Sequence, residues 1–303
     1  MAAALQGLDF SGYMDPLIQA ARSELQNKTA YARVWLEPFH DELRAVGKHY
    51  DWLPFELLLV MHSLYVASLF RRTEYTRFWP ALFWVSFIAA FGSGSLVNIC
   101  FHDYPAWLRS DAILLTYAVC WYLVLFSPGD VVFKVYSMLP IRAACKLATT
   151  LLKARNVANS VHRAVQVFGP SQIVAPLFFG VLGGCGGTYL TDMASYILGI
   201  KKPIEFLEPS WATRSVFLSA AFYLFAVHWY AILPQDVATT IGVSVLAAQS
   251  LGAELTGWPL DFTAPFEYMF HSLSGIPVAS IWKDGGHQPS GKAVFEARKK
   301  KVM

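Results

Sequence analysis

Charge is what this sequence has least of. Asp, Glu, Lys and Arg make up 15% of its 303 residues, against roughly 25% in a typical soluble domain. So little charge cannot cover a water-exposed surface when 55% of the residues are hydrophobic and mean hydropathy is positive. Lipid is therefore the expected solvent. Cysteine is scarce too. Cys100, Cys120, Cys145 and Cys185 fall in apolar stretches and none forms a CxxC pair. That suggests neither a disulfide framework nor a cysteine-based zinc site and leaves them as small fillers of helix packing. Residues 1–50 hold neither a basic n-region nor an apolar h-region, so no secretory leader is read there and insertion is expected to begin at the first spanning helix. HExxH, GxSxG, Walker and DxxD patterns are missing, so no catalytic residue, metal centre or enzyme activity is expected. The net charge of +3 is small, and no nucleic-acid partner is expected.

What is present is a series of apolar runs. About 20 apolar residues cross the hydrocarbon, and seven segments qualify: 53–70, 79–101, 108–126, 131–152, 171–198, 212–232 and 236–255. The turns between them are short, which predicts antiparallel neighbours in one bundle. Residues 1–50 form a polar extension, 51–256 a seven-helix membrane domain, and 257–303 a tail expected to lose order from Trp282 onward.

Lys and Arg in short loops set orientation. Arg71, Arg72 and Arg77 are expected in the cytosol, as are Lys201 and Lys202. Both placements agree only with a lumenal N-terminus, and seven spans then leave the C-terminus cytosolic. Lys300 and Lys301 stand four and three places from the end, the spacing of a dilysine retrieval signal, which is read on the cytosolic side. Lys153, Arg155 and Arg163 follow the fourth segment on the side expected to be lumenal, against the rule, which points to a specific task.

Glycine clusters in two spans. The second holds Gly92 and Gly94; the fifth holds Gly183, Gly184, Gly186 and Gly187. Glycine lets helices approach closely and also permits hinges or unwound turns. If spans one to three repeat as four to six, the clusters correspond, and glycine-rich helices at matching places in two halves mark a transport site. An odd triplet inverts on repetition, so the repeat would be inverted. No residue-level repeat is visible.

The fourth span carries most charge. Counted at 100° per residue from Lys134, Arg142, Lys146 and Lys153 fall on the same side of the helix as Lys134, with Arg163 near it. Arg155 points away, and Pro140 is a candidate kink. A basic stripe in lipid needs solvation or a partner. Three uses compete: a phosphoinositide headgroup site, a voltage-responsive array, and snorkelling of the end residues. Asp192 follows the glycine run by five residues and either faces a cation path or lies at the interface. Asp130, after Ser127-Pro128-Gly129, reads as a helix start cap. Glu254 reads as a carboxylate near a span end. His62 lies in the first span as a packing or functional histidine, and His102-Asp103 reads as a turn pair.

Pro128-x-Asp130…Lys134…Leu139-Pro140-Ile141-Arg142, continuing to Lys153-Ala154-Arg155, resembles the trimeric intracellular cation channel (TRIC) family over roughly residues 50–270. The fifth-span glycine run, Gly92-Ser93-Gly94 and Ala264-Pro265-Phe266-Glu267 are similar to further family motifs. Where the family has Lys-Glu-Val, this chain has Thr149-Thr150-Leu151. The resemblance implies an all-α fold of seven transmembrane helices, two inverted three-helix repeats plus a seventh helix, assembled as a homotrimer. It implies a K⁺ channel of the endoplasmic or sarcoplasmic reticulum whose current offsets Ca²⁺ release and uptake. It also implies bound phosphatidylinositol 4,5-bisphosphate, which Lys153, Arg142, Lys146 and Arg155 would hold in this chain. Lys134, Asp192 and the glycines named above are the pore and gating candidates. The alternative is a secondary transporter that uses the basic stripe to bind a small anion or metabolite.

Overall fold

The computed structural model describes residues 34, 36–48, 53–71, 78–197, 209–257 and 261–274. Among them the chain is helical, without strands. Residues 36–48 form α1. Then come α2 (Phe55–Arg71), α3 (Trp79–Cys100), the short α4 (Ala106–Arg109), α5 (Asp111–Phe126), α6 (Val131–Tyr136), α7 (Leu139–Phe168), α8 (Val174–Ile197), α9 (Trp211–Tyr223), α10 (Gln235–Thr256) and α11 (Ala264–Ser274). Local chemistry sets several ends. Pro80 occupies the first turn of α3, where a missing N–H costs nothing. The Ser210 hydroxyl accepts from the Thr213 amide at the start of α9. Gly257, at φ +73°, closes α10 in the left-handed region that favours glycine.

The longest helices lie side by side. α8 packs along α3 on one flank and along α7 on the other, and α7 also packs on α2 and α10, while α5 lies against α2. One core joins α7, α8, α9 and α10 through Val157, Val161, Cys185, Val216, Ala220 and Val237. A second, aromatic, joins α2, α3 and α5 through Ala67, Phe87, Tyr117 and Trp121. Large side chains elsewhere point outward, among them Trp79, Leu115, Val119 and Val174, the surface an apolar solvent or a partner subunit would cover.

Composition alone qualifies two helices to cross a membrane, α3 and the Val174–Ala194 stretch of α8. α5 would join them as a broken span with the segment after it, but the chain bends by 90° between Asp111–Phe126 and Pro128–Tyr136. At that bend Gly129 (φ +62°) and Asp130 (φ +60°) are both left-handed.

The fourth segment departs from the expected 131–152. It breaks at Ser137 and Met138, so α6 is a separate helix and α7 starts at Leu139 and runs 30 residues to Phe168. Pro140 does not kink a helix: it lies in the first turn of α7, where the backbone N–H it lacks would have had no helical acceptor. Lys153, Arg155 and Arg163 do not follow the fourth helix but stand inside it. The register from Lys134 to Arg142 is also lost. Asp130 is at the start of α6, yet its side chain makes no capping bond. Its carboxylate instead pairs with Arg71 at 2.5 Å, and the same guanidinium lies 4.4 Å over the Phe133 ring.

α1 is docked. Arg44 Nε donates to the Asp236 carboxylate at 2.8 Å, Leu43 packs on the core beside α10, and a Cβ on Gly47 would lie 2.5 Å from Thr240 Oγ1. Arg72, Arg77, Lys201, Lys202, Lys300, Lys301 and the tail beyond Ser274 lie outside the described residues.

Candidate functional site

The polar residues of α7 gather on one face. Counted from Arg142 at 100° per residue, Lys146, Thr149, Lys153, Asn156, Ser160 and Arg163 all fall within about 60° of it. They make a continuous seam along a helix whose opposite face buries Leu151, Ala154, Ala158 and Val165.

Both ends of the seam are neutralised. At the Arg142 end, Glu254 of α10 receives Lys146 Nζ at 2.9 Å and forms an ion pair with Arg142. The Glu254 side chain is 16% exposed, so this triad is largely out of water. At the far end, Arg163 donates to Asn98 Oδ1 at 3.0 Å and to Asp103 Oδ2 at 3.2 Å, and its guanidinium lies 4.8 Å over Phe101. Asp103 also pairs with Arg109. Between these ends, His62 of α2 bridges three helices. Its Nε2 is 3.1 Å from the Ala90 carbonyl and its Nδ1 3.1 Å from Thr149 Oγ1. A carbonyl only accepts, so Nε2 carries a proton, while the Thr149 hydroxyl beside Nδ1 also lies 3.0 Å from the Cys145 carbonyl of its own helix. Thr150 bonds Ser250 of α10 at 3.0 Å.

Length gives the seam its meaning. Arg142 and Arg163 are separated by about 32 Å at 1.5 Å per residue, close to the ~30 Å of a bilayer's hydrocarbon. The paired ends are therefore spaced about as far apart as the two faces of a bilayer, and Lys153 falls near the middle of the seam. Lys153 is half-buried and has no ion-pair or hydrogen-bond partner among the described residues. Charges in lipid are expensive unless they are paired or face a water-filled space.

The glycines serve close approach. α8 is helical through the whole glycine run, and α3 through Gly92 and Gly94, so neither cluster is unwound. A Cβ on Gly183 would lie 2.9 Å from the Asn156 carbonyl oxygen, and on Gly184 2.5 Å from a Val216 methyl. One on Gly186 would meet Ser93 Cα at 3.1 Å, and on Gly187 the Ala89 carbonyl oxygen at 2.5 Å. The Gly187 amide donates to Ser93 Oγ at 2.7 Å. Gly92 is similarly crowded by Leu190 and Gly187, whereas Gly94 has only Asn156 Nδ2 at 3.9 Å.

Of the sequence-predicted residues, Arg142, Lys146 and Lys153 share the seam. Arg155 lies on another side of α7. Lys134 is exposed on α6, apart from the seam, and Asp192 is buried on α8. The sequence reading missed Glu254 as an anion for two cations, and Asn98 and Asp103 as partners of Arg163. Matching depth was the available signal: each acid stands near the end of a neighbouring span, level with a base on α7.

An all-helical bundle with a charge-lined helix through its middle is the architecture of a membrane channel or carrier. The family model of the TRIC channel matches residues 71–252, and the chain belongs to that family of cation channels. The trimeric intracellular cation channel type 1B.1 of Caenorhabditis elegans is 24% identical over 222 residues, 71% of this chain and 72% of that protein. The type A channel of Mus musculus is 25% identical over 220 residues, with the same two shares. A solved structure described as giving the structural basis for activity of TRIC counter-ion channels in calcium release superposes with a TM-score of 0.64 at 18% identity, covering 71% of this chain and 99% of that one. A trimeric intracellular cation channel from C. elegans without Ca²⁺ superposes with a TM-score of 0.61 at 21% identity, covering 72% and 97%. At these identities the structural likeness is one of fold.

Proposed function

We propose that this chain assembles as a homotrimer whose protomers each conduct monovalent cations, K⁺ foremost, across the endoplasmic or sarcoplasmic reticulum membrane, supplying counter-charge while Ca²⁺ leaves or enters the store. The observation that carries the proposal is the seam of α7: paired at both ends and left, among the described residues, with one unpartnered lysine midway. A lysine beside a cation path needs compensation. A phosphoinositide headgroup reaching Lys153 would supply it; Arg155, on another side of α7, is not placed to share it. Arg142 and Lys146 would take part only by sharing with Glu254. The same charge would also respond to voltage, since a charge moved through 100 mV is worth about 2.3 kcal/mol.

The family supports the cation, and the names of the relatives support the trimer. In this reading α2, α3 and α5 form one triplet, α7, α8 and α9 an inverted second, and α10 the seventh span. The packing of α3 on α8 supports it, because a twofold axis in the membrane plane would bring the middle helices of two triplets together. Residues 1–50 are lumenal, 51–256 form the channel and 257–303 are cytosolic. Docking of α1 beside Asp236, at the bundle end away from Arg71 and Asp130, fits a lumenal N-terminus. Lys300 and Lys301 would retrieve the protein to the reticulum.

The test is recording from purified full-length protein in a planar bilayer with KCl as the only salt. Unitary current steps are expected. Saturable exchange without steps would replace the channel by a secondary transporter of a small anion or metabolite. Silence in both assays would end the transport reading.

A further inference from the structure

His162 and His228 play no part in the seam, yet they meet. His162 Nδ1, on α7, and His228 Nε2 lie 3.4 Å apart, with ring centroids 5.2 Å apart. His228 stands in the π-helical turn Leu224–Trp229 that extends α9. Wide turns of this kind are rare and are frequently found at functional sites. The turn is held by the Tyr230 amide, which donates to the Phe225 carbonyl at 2.8 Å, and by the Ile232 amide, which donates to Ala226 at 2.8 Å. Just beyond it Ala231 is left-handed at φ +48°, an uncommon conformation for alanine. Local backbone irregularity thus accompanies the side chain that reaches α7.

We propose that His162 and His228 form a two-imidazole site for a borderline divalent metal of the Zn²⁺, Ni²⁺ or Cu²⁺ class, clamping α7 to the π-turn of α9. Tetrahedral Zn²⁺ with ligand nitrogens at about 2.0–2.1 Å places them about 3.4 Å from each other, which is the spacing present. Gln166, one turn beyond His162, approaches the other ring nitrogen, Nε2, at 2.9 Å. With its amide oxygen turned to the ring it accepts Nε2–H and leaves the Nδ1 lone pair for a metal. Both histidines are half-buried and Gln166 is exposed, so an ion can enter from the bundle end. Among the described residues no third His, Cys, Asp or Glu completes the set. Water fills the remaining positions, and binding is weaker than at a structural zinc site.

This site does not depend on what the protein conducts, and its test reads binding. Full-length protein carrying Cys100→Ser, which removes the exposed thiol, is titrated with ZnCl₂ by calorimetry and with Co²⁺ by visible absorption. One metal per chain is expected, with a rise in thermal midpoint. His162→Gln and His228→Gln should each abolish this binding. Gln166→Ala, at an exposed position where folding is not at stake, should weaken it about tenfold. A parent protein without saturable Zn²⁺ binding, or variants that bind as the parent does, would overturn the proposal.

Discussion

α7 and α8 lie against each other and solve the same problem in opposite ways. α8 enters the bundle by subtraction: its glycines let Ala89, Ser93, Val157 and Val216 come to distances that any Cβ would block. α7 enters by addition, carrying four cations along its polar seam and meeting an acid at each end. If α7 spans the membrane as proposed, apolar composition is not a necessary condition for a membrane helix. A helix that fails the composition test can fit a bilayer when its charges are spaced to the thickness of the lipid and matched there.

Four substitutions would break or sharpen this contrast. The largest effect is expected from Glu254→Gln, which leaves the half-buried Arg142 and Lys146 side by side without an anion and should cost about 3 kcal/mol. Thermal unfolding of the purified protein reads it, and an unchanged midpoint would mean that water already solvates the triad. Next is Gly187→Ala, whose Cβ would press on a backbone carbonyl of α3 that cannot swing aside, at about 2 kcal/mol; the same unfolding assay applies. Lys153→Gln should change stability little, because no partner is lost. It should reduce phosphoinositide retained through purification, measured by native mass spectrometry, and alter the voltage dependence of current. A variant that keeps both would remove Lys153 from the site. The smallest effect belongs to Gly94→Ala, where space exists and helix propensity gains up to about 1 kcal/mol. If it proved as harmful as Gly187→Ala, the packing account of the glycines would be wrong.

Much of the bundle was legible in the sequence. Six of the seven apolar segments coincide with α2, α3, α5, α8, α9 with its π-turn, and α10, because a long apolar run leaves the backbone few other options. The fourth did not, for two reasons. Hydropathy has no term for the break at Ser137 and Met138, so Lys134 was placed on the wrong helix. It also counts each charge as a cost, so the helix was stopped at residue 152 although Arg163 has partners waiting on α3 and the turn after it. The family resemblance rested on motifs in this same stretch, and residues 71–252 do match that family. The pairing of Thr149 with His62 was hidden because neither residue shows periodicity or charge. The meeting of His162 and His228 depends on a π-turn that no local pattern announced.

The docking of α1 has a practical corollary. Val34, just ahead of it, is solvent-exposed, while the helix that follows is fastened to α10 through Arg44 and Asp236. A fluorophore coupled at position 34 would therefore not dangle; it would ride on the last span and report its tilt, giving an optical gauge of the bundle that leaves the seam untouched.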